Sequence, residues 1–185
     1  MKKLILSIAI AFAAVCAQAA AVGWSVAAGN AAYGGDKYMF FIVGQNSVTS
    51  IGTVTALLDA GQDVSTYAYG SGNLLANGSA TVLAANSGKS IDAGTYTSFA
   101  VIFDAAAPEA GKNNYVVVSG LANQTKSVSE TAANVTFATG SAASIVNNSA
   151  NWQSFGSAGP IAPEPTSGLL LLLGMAGLAL KRKHA

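Results

Sequence analysis

The chain has 185 residues, and its formal net charge of +1 conceals an acidic middle. Five of its nine cations lie near the two ends, so residues 20–160 carry four lysines against seven carboxylates, a net charge of −3, with no arginine and no histidine. This composition excludes the basic patch that binds nucleic-acid phosphates, and it excludes histidine-based catalysis and arginine clamps within that segment.

The first 19 residues predict a secretory signal peptide. A basic start precedes an apolar run over 4–15, and the small residues Ala17 and Ala19 form a signal-peptidase site. We expect the mature chain to begin near Ala20, with a second small-x-small site ending at Ala21. The only cysteine lies inside this leader, so we expect the exported domain to contain no disulfide.

Three segments of the middle predict strands clearly. Residues 38–43 are apolar on both faces and end at Gly44, as in a central strand. Residues 96–104 and 115–118 flank a loop rich in turn residues, which predicts antiparallel neighbours. Side chains of a strand alternate between its two faces, so in segment 96–104 we expect Phe99, Val101 and Phe103 on one face and Ala100 and Ile102 on the other.

The remaining patterns are weaker. Further strands are predicted at 22–27, 80–84, 127–130, 134–138 and near Trp152. Residues 53–60 predict a short helix, because apolar residues recur there at helical spacing up to Gly61. The predicted fold is mainly β: an antiparallel β-sandwich of seven or eight short strands with one short helix, between an N-terminal signal helix and a C-terminal hydrophobic helix.

Among the residue types that commonly act as catalytic acids or bases, residues 20–160 offer mainly carboxylates. A glycosidase needs two acids on either side of a sugar, and Asp36, Asp104 and Glu109 lie next to aromatic strands. Such a pair would have to lie within about 10 Å. Scattered acids on a domain of low charge usually serve turns and solubility, so we expect no enzyme, no cofactor and no metal.

Two other segments have an alternative reading. Residues 59–63 carry two carboxylates around a glycine, which suggests calcium, but they lack the ligand spacing of a calcium loop and fit a helix end with a turn. Residues 69–73 are rich in glycine without the lysine of a phosphate loop, and we predict a flexible turn.

Four Asn-x-Ser/Thr triplets fit the N-glycosylation pattern, and chance explains them in a chain this rich in asparagine, serine and threonine.

The end of the chain contains three ordered parts after residue 162. They are Pro163, Glu164 and Pro165, then a spacer and an apolar run over 168–180, and finally Lys181, Arg182 and Lys183. As a helix the run of 13 residues would span roughly 20 Å, whereas a bilayer's hydrocarbon core is about 30 Å thick. The run is therefore short for a permanent anchor, and the cations behind it favour a cytoplasmic end.

This order of parts resembles the PEP-CTERM sorting signal of Gram-negative bacteria. The resemblance divides the chain into a signal peptide (1–19), an exported domain (20–160) and a sorting signal (161–185). It implies that helix 168–180 holds the protein transiently in the inner membrane, and that an exosortase, a membrane-embedded cysteine transpeptidase-like enzyme, cleaves near the Pro-Glu-Pro element. The tail carries Lys-Arg-Lys where family members often carry an arginine run.

The expected protein is non-enzymatic and ends up at the cell surface or in the extracellular matrix. The resemblance implies an association with exopolysaccharide, and hence a structural or adhesive role. Its processing enzymes are signal peptidase and exosortase, a polysaccharide is a further partner, and nucleic acid is not. The alternatives are a carbohydrate-binding module, with Trp24, Trp152 and tyrosines as a stacking platform, and a surface glycosidase.

Overall fold

The structure, a computed structural model, describes residues 19–157. That part of the chain is mainly β, as predicted, and its elements are β1 (Ala20–Ala27), β2 (Lys37–Ile42), α1 (Ile51–Asp59), β3 (Gly70–Asn73), β4 (Ser79–Val82), α2 (Ala84–Ser87), β5 (Ser90–Ile91), β6 (Gly94–Phe103), β7 (Asn114–Val118), β8 (Thr125–Val128), β9 (Asn134–Ser141), α3 (Ala143–Val146) and β10 (Trp152–Ser154). Two 3₁₀ turns occur at Ala31–Tyr33 and Ser149–Asn151. Within 19–157 no helix is long and apolar enough to cross a membrane.

The first sheet is built around β1. Strands β4 and β5 pair with it in succession, both antiparallel, and β9 pairs parallel to it along the other edge. The predicted sandwich is mostly antiparallel, and this sheet departs from that prediction at one pair, because β9 runs parallel to β1. A parallel pair needs a long crossover, and here the chain between β1 and β9 builds every strand of the second sheet except β10 before it returns.

The second sheet is antiparallel throughout. Its order is β10-β7-β6-β2-β3, and β8 pairs with the N-terminal half of β6, which β7 leaves free. The predicted pairing of β6 with β7 is confirmed: Ala100 lies opposite Val118 and Phe103 opposite Tyr115. The described residues contain ten strands instead of seven or eight, because the two-residue β5 and the glycine-rich β3 carry no strand pattern.

Both sheets contribute to a first hydrophobic cluster. Trp24 of β1 stacks on Phe40 of β2, with ring centroids 5.6 Å apart and planes 6° from parallel. Phe137 of β9 packs against the same phenylalanine at 6.2 Å. Each such ring contributes roughly 1.5–3 kcal/mol by leaving water, so this cluster holds the two sheets to each other.

A second cluster covers the opposite face of the second sheet. Phe99, Val101 and Phe103 of β6 belong to it, whereas Ala100 and Ile102 belong to the first cluster, as the alternation predicts. Helix α1 covers this face with Val54 and Leu58, both fully buried. The second sheet is consequently buried on both faces, which explains why β2 is apolar at every position from Tyr38 onward.

Helix α1 confirms the predicted helix at 53–60 and begins two residues earlier. Ser50 caps it, since its Oγ accepts a hydrogen bond of 3.2 Å from the amide of Thr53. The helix ends at Asp59, and Gly61 follows with a φ of +70°. The expected helix end and turn over 59–63 are therefore observed.

The glycine-rich segment 69–73 is not the predicted flexible turn. Its residues from Gly70 to Asn73 form the edge strand β3, paired with β2. A Cβ added at Gly70 would lie 2.1 Å from the indole of Trp24, and one at Gly72 would lie 3.2 Å from the ring of Tyr38. The glycines therefore allow aromatic rings to pack directly on the strand's backbone.

Candidate functional site

A cleft of about 470 Å³ opens at one end of the second sheet. The 3₁₀ turn Ala31–Tyr33 and the segment from α3 to β10 form its aromatic side, and the residues that end β6 and begin β7 form its polar side. The lining side chains are Tyr33, Val146 and Trp152, with the polar Asp104, Asn114, Asn147 and Ser149.

Two aromatic rings form one side of the cleft. Tyr33 and Trp152 stack with their centroids 5.4 Å apart and their planes 20° from parallel, and both are only partly buried. The indole Nε1 of Trp152 donates to the carbonyl of Val146 at 2.7 Å, and the Tyr33 hydroxyl donates to the same oxygen at 3.2 Å. One backbone carbonyl thus orients both rings, because it has two lone pairs to offer.

Asn30 fixes the position of the turn that carries Tyr33. Its Oδ1 accepts from the amide of Ala32 at 2.9 Å, which caps the turn, and its Nδ2 donates to Asn147 Oδ1 at 2.8 Å. The second bond ties the turn to the loop after α3. Trp152 is held in a different way, because it begins β10 and pairs with Val116 of β7.

The polar side is organised by Asp104 and Asn114. One oxygen of Asp104 accepts from the backbone amide of Asn114 at 2.9 Å, and the other accepts from its Nδ2 at 2.8 Å. Asn114 Oδ1 in turn accepts from the Ser154 hydroxyl at 3.2 Å. These contacts hold the carboxylate in one orientation while each of its oxygens keeps a free acceptor position.

A second carboxylate lies beside Asp104. Asp36 lies directly before β2 and Asp104 directly after β6, at the same end of this strand pair, and the two carboxylates are close enough for their charges to interact. Burial, and next the charge of Asp104, raise the pKa of Asp36 above its ordinary value. Among the described residues the ion pair is Lys112 with Glu109, and it involves neither of these two acids. Within the described part of the chain, neither Asp36 nor Asp104 therefore takes part in an ion pair.

The fold brings together two of the three acids that could serve a glycosidase and separates the third from them. Asp36 and Asp104 are neighbours, whereas Glu109 lies in the exposed loop after β6 and pairs with Lys112. Asp104 lines the cleft and Asp36 is not among its lining residues. The cleft thus presents one carboxylate to a ligand.

The other sequence candidates lie elsewhere. Trp24 is 4% exposed and belongs to the first cluster, so it is not accessible for stacking on a ligand. Asp59 accepts from the Tyr115 hydroxyl, and Asp63 accepts from the amide and hydroxyl of Ser65, so these two carboxylates serve separate contacts. Within 19–157 no group of three or more His, Cys, Asp or Glu side chains could hold a metal ion.

The residues of the two export signals fall almost entirely outside the described part of the chain. This applies to Ala17 and to the tail residues Pro163, Glu164, Pro165, Lys181, Arg182 and Lys183, together with the predicted helix 168–180. Ala19 is the first described residue, and it lies directly before β1.

Sequence reasoning offered Trp24, Trp152 and the tyrosines together as an alternative stacking platform, and it did not single out Tyr33. Tyr33 lies in an Asn-Ala-Ala-Tyr-Gly-Gly segment, whose asparagine and glycines signal only a turn. The sequence also carries no sign of the polar lining residues Asn114, Asn147 and Ser149. They come together only through the pairing of distant segments.

No protein-family model matches the sequence, and neither a curated protein nor a solved structure gives a match. Function must therefore be argued from the chain's own residues.

Proposed function

We propose that this protein is exported, processed by an exosortase and retained at the cell surface or in the extracellular matrix, where it has a structural or adhesive role associated with exopolysaccharide. The observation that carries the proposal is the ordered tail: the Pro163-Glu164-Pro165 element, a short apolar run and a terminal basic cluster. The signal peptide at the other end supports it independently, since both signals are needed for this route.

The position of the folded part agrees with such processing. Strand β1 begins at Ala20, one residue after the expected signal-peptidase site, and Ala20 is fully buried. The last strand ends at Ser154, so eight residues separate it from Pro163. Both cuts would therefore leave every strand of the domain intact.

The proposed domain is a β-sandwich. Both sheets supply side chains to the first cluster, among them Trp24 and Phe40, which is how two packed sheets share a core. A domain of this kind, with a net charge of −3 over 20–160 and without cysteine there, suits a passive extracellular role that requires neither a redox partner nor a metal.

Intact-mass measurement of the protein recovered from the outer surface of its native host tests the sorting. We expect an N-terminus at Ala20 and a C-terminus between Pro163 and Pro165. The variant Glu164→Ala should retain the tail in the membrane fraction, whereas the matched variant Glu130→Ala, at an exposed glutamate of the domain, should be processed normally. Recovery of the chain through Ala185 from the outer surface would contradict the proposal.

A further inference from the structure

We propose that the cleft lined by Tyr33 and Trp152 is a saccharide-binding site, and that Asp104 makes it prefer sugar units with free amino groups over uronic-acid units. The inference deepens the proposed adhesive role, and it rests on that role only for the source of the ligand. The site itself is argued from the geometry of the cleft.

The aromatic side of the cleft is the first ground. Among the residues of 19–157, four aromatic residues are only partly buried, namely Tyr33, Tyr67, Tyr96 and Trp152. Two of these four meet in this cleft and are held by hydrogen bonds to one carbonyl. Aromatic rings with a polar tip favour ligands that are apolar on one face and hydrated on the other, and a pyranose ring has this character.

The polar side is the second ground. Asp104 offers acceptors, whereas Asn147 offers an amide and Ser149 a hydroxyl, and all three are exposed. This mixture of donors and acceptors matches the hydroxyl groups of a sugar, each of which both donates and accepts. The volume of about 470 Å³ falls within the range of about 300–1,000 Å³ that is usual for small-ligand sites.

Charge decides which class of ligand fits. Asp104 is the only charged residue among the described residues that line the cleft, and the carboxylate of Asp36 is close enough to interact with its charge. A nucleotide, which could also stack on the rings, would bring phosphates into this negative field without a cation to receive them. A uronate is disfavoured for the same reason, whereas an ammonium group next to Asp104 is attracted.

Calorimetric titration of the full chain, purified in detergent, tests the site with three tetrasaccharides. The probes are a glucosamine tetramer, an N-acetylglucosamine tetramer and a galacturonate tetramer. We expect the first to bind more tightly than the second, and the galacturonate tetramer to bind most weakly. Binding of none of the three, or galacturonate binding as tight as glucosamine binding, would overturn the proposal. So would glucosamine binding that requires added Ca²⁺, since the carboxylates would then serve a metal.

Matched variants locate the binding. Tyr33→Ala should weaken binding roughly tenfold, as expected for loss of a ring that stacks on a flat ligand, whereas Tyr67→Ala should leave it unchanged. Asp104→Asn should reduce the preference for glucosamine over N-acetylglucosamine about threefold, the scale of an exposed charge pair. Asp63→Asn is its control, because Asp63 is also an exposed carboxylate that accepts from a nearby backbone amide. Equal binding by Tyr33→Ala and Tyr67→Ala would refute the cleft as the site.

A third variant covers the case in which Tyr33→Ala fails to fold. Ser149 is exposed at the cleft, so Ser149→Phe fills the cleft from its rim without removing a buried group. We expect unchanged thermal unfolding and lost binding. Full binding by this variant would overturn the proposal. Because all titrations use purified chain, their outcome is independent of whether the sorting prediction holds.

Discussion

The indole ring of Trp24 lies directly against the backbone of Gly70. A Cβ at Gly70 would approach the ring's Cζ2 to 2.1 Å and its Cη2 to 2.5 Å. The same ring stacks on Phe40 and meets Tyr69 edge-on at 6.5 Å. The tryptophan is therefore enclosed by neighbours of both sheets, and it cannot move away from β3 without disturbing them.

Gly70→Ala should lower the free energy of unfolding by about 1–3 kcal/mol, the usual cost of overpacking a core. Gly52→Ala is the matched control. It lies in the exposed first turn of α1, where an added Cβ would meet only the Ser50 Oγ at 3.5 Å. Since alanine is the better helix former, this control should stabilise by up to about 1 kcal/mol. Urea unfolding of the purified chains measures both, and equal values would show that the indole moves aside without cost.

Ser50→Ala should destabilise the protein by about 1 kcal/mol, because the amide of Thr53 loses its cap. Thr55→Ala is the control within the same helix. The Thr55 hydroxyl donates back to the Gly52 carbonyl, a contact that does not help a helix, so its removal should be neutral or slightly stabilising. Urea midpoints distinguish the two, and a neutral Ser50→Ala would mean that water replaces the cap.

Local sequence patterns were sufficient to predict those elements whose structure depends mainly on their own residues. The alternation over β6 predicted both faces of that strand, and the apolar spacing predicted α1. The parallel pairing of β1 with β9 could not be predicted, because periodicity carries no information about which distant segment lies alongside. Strand β3 was missed for a different reason: its glycines leave room for the rings of Trp24 and Tyr38, and local propensity gives no sign of those contacts.

The cleft shows the same limit. Its lining residues come from near position 33, from 104–114 and from 146–152, and no motif links these segments. Trp152 could be suspected as a ligand-stacking residue because large aromatics are few. Its pairing with Tyr33 follows only from the antiparallel pairing of β10 with β7 and from the turn that Asn30 caps.

Tyr115 connects α1 to the second sheet through its hydroxyl. This side chain is fully buried, and its oxygen lies 2.7 Å from Asp59 Oδ1 and 2.6 Å from Gln153 Oε1. A phenol carries one hydrogen, and the charged carboxylate is the stronger acceptor. Tyr115→Phe should therefore cost about 1–2 kcal/mol in urea unfolding, since Asp59 loses its donor. Tyr67→Phe is the control and should change nothing, whereas an equal loss in both variants would contradict a specific role for this bond.

The same hydroxyl should make stability fall in base. Burial, then the hydrogen bond to Asp59 and its charge, raise the pKa of Tyr115 above the ordinary value of 10.0. The folded state therefore keeps this proton where the unfolded state releases it, so the free energy of unfolding decreases as pH rises above that value. Tyr115→Phe should show a smaller decrease between pH 9 and pH 11 than the unchanged protein. An identical decrease would assign the effect to other groups, such as Tyr69, whose pKa is also raised by burial.

Asp36 should destabilise the fold at neutral pH. Because its pKa is raised in the folded state by burial and by Asp104, its contribution to stability is neutral at pH values below the ordinary pKa of 3.8 and becomes unfavourable as pH rises through the folded pKa. Asp36→Asn should therefore be more stable than the unchanged protein at pH 7, by roughly 0.2–1 kcal/mol for a partly exposed pair, and equally stable at pH 3. The control Asp92→Asn, at an exposed carboxylate before β6, should match the unchanged protein at both values. If Asp36→Asn were less stable at pH 7, the carboxylate would have to make a favourable contact that outweighs the charge of Asp104.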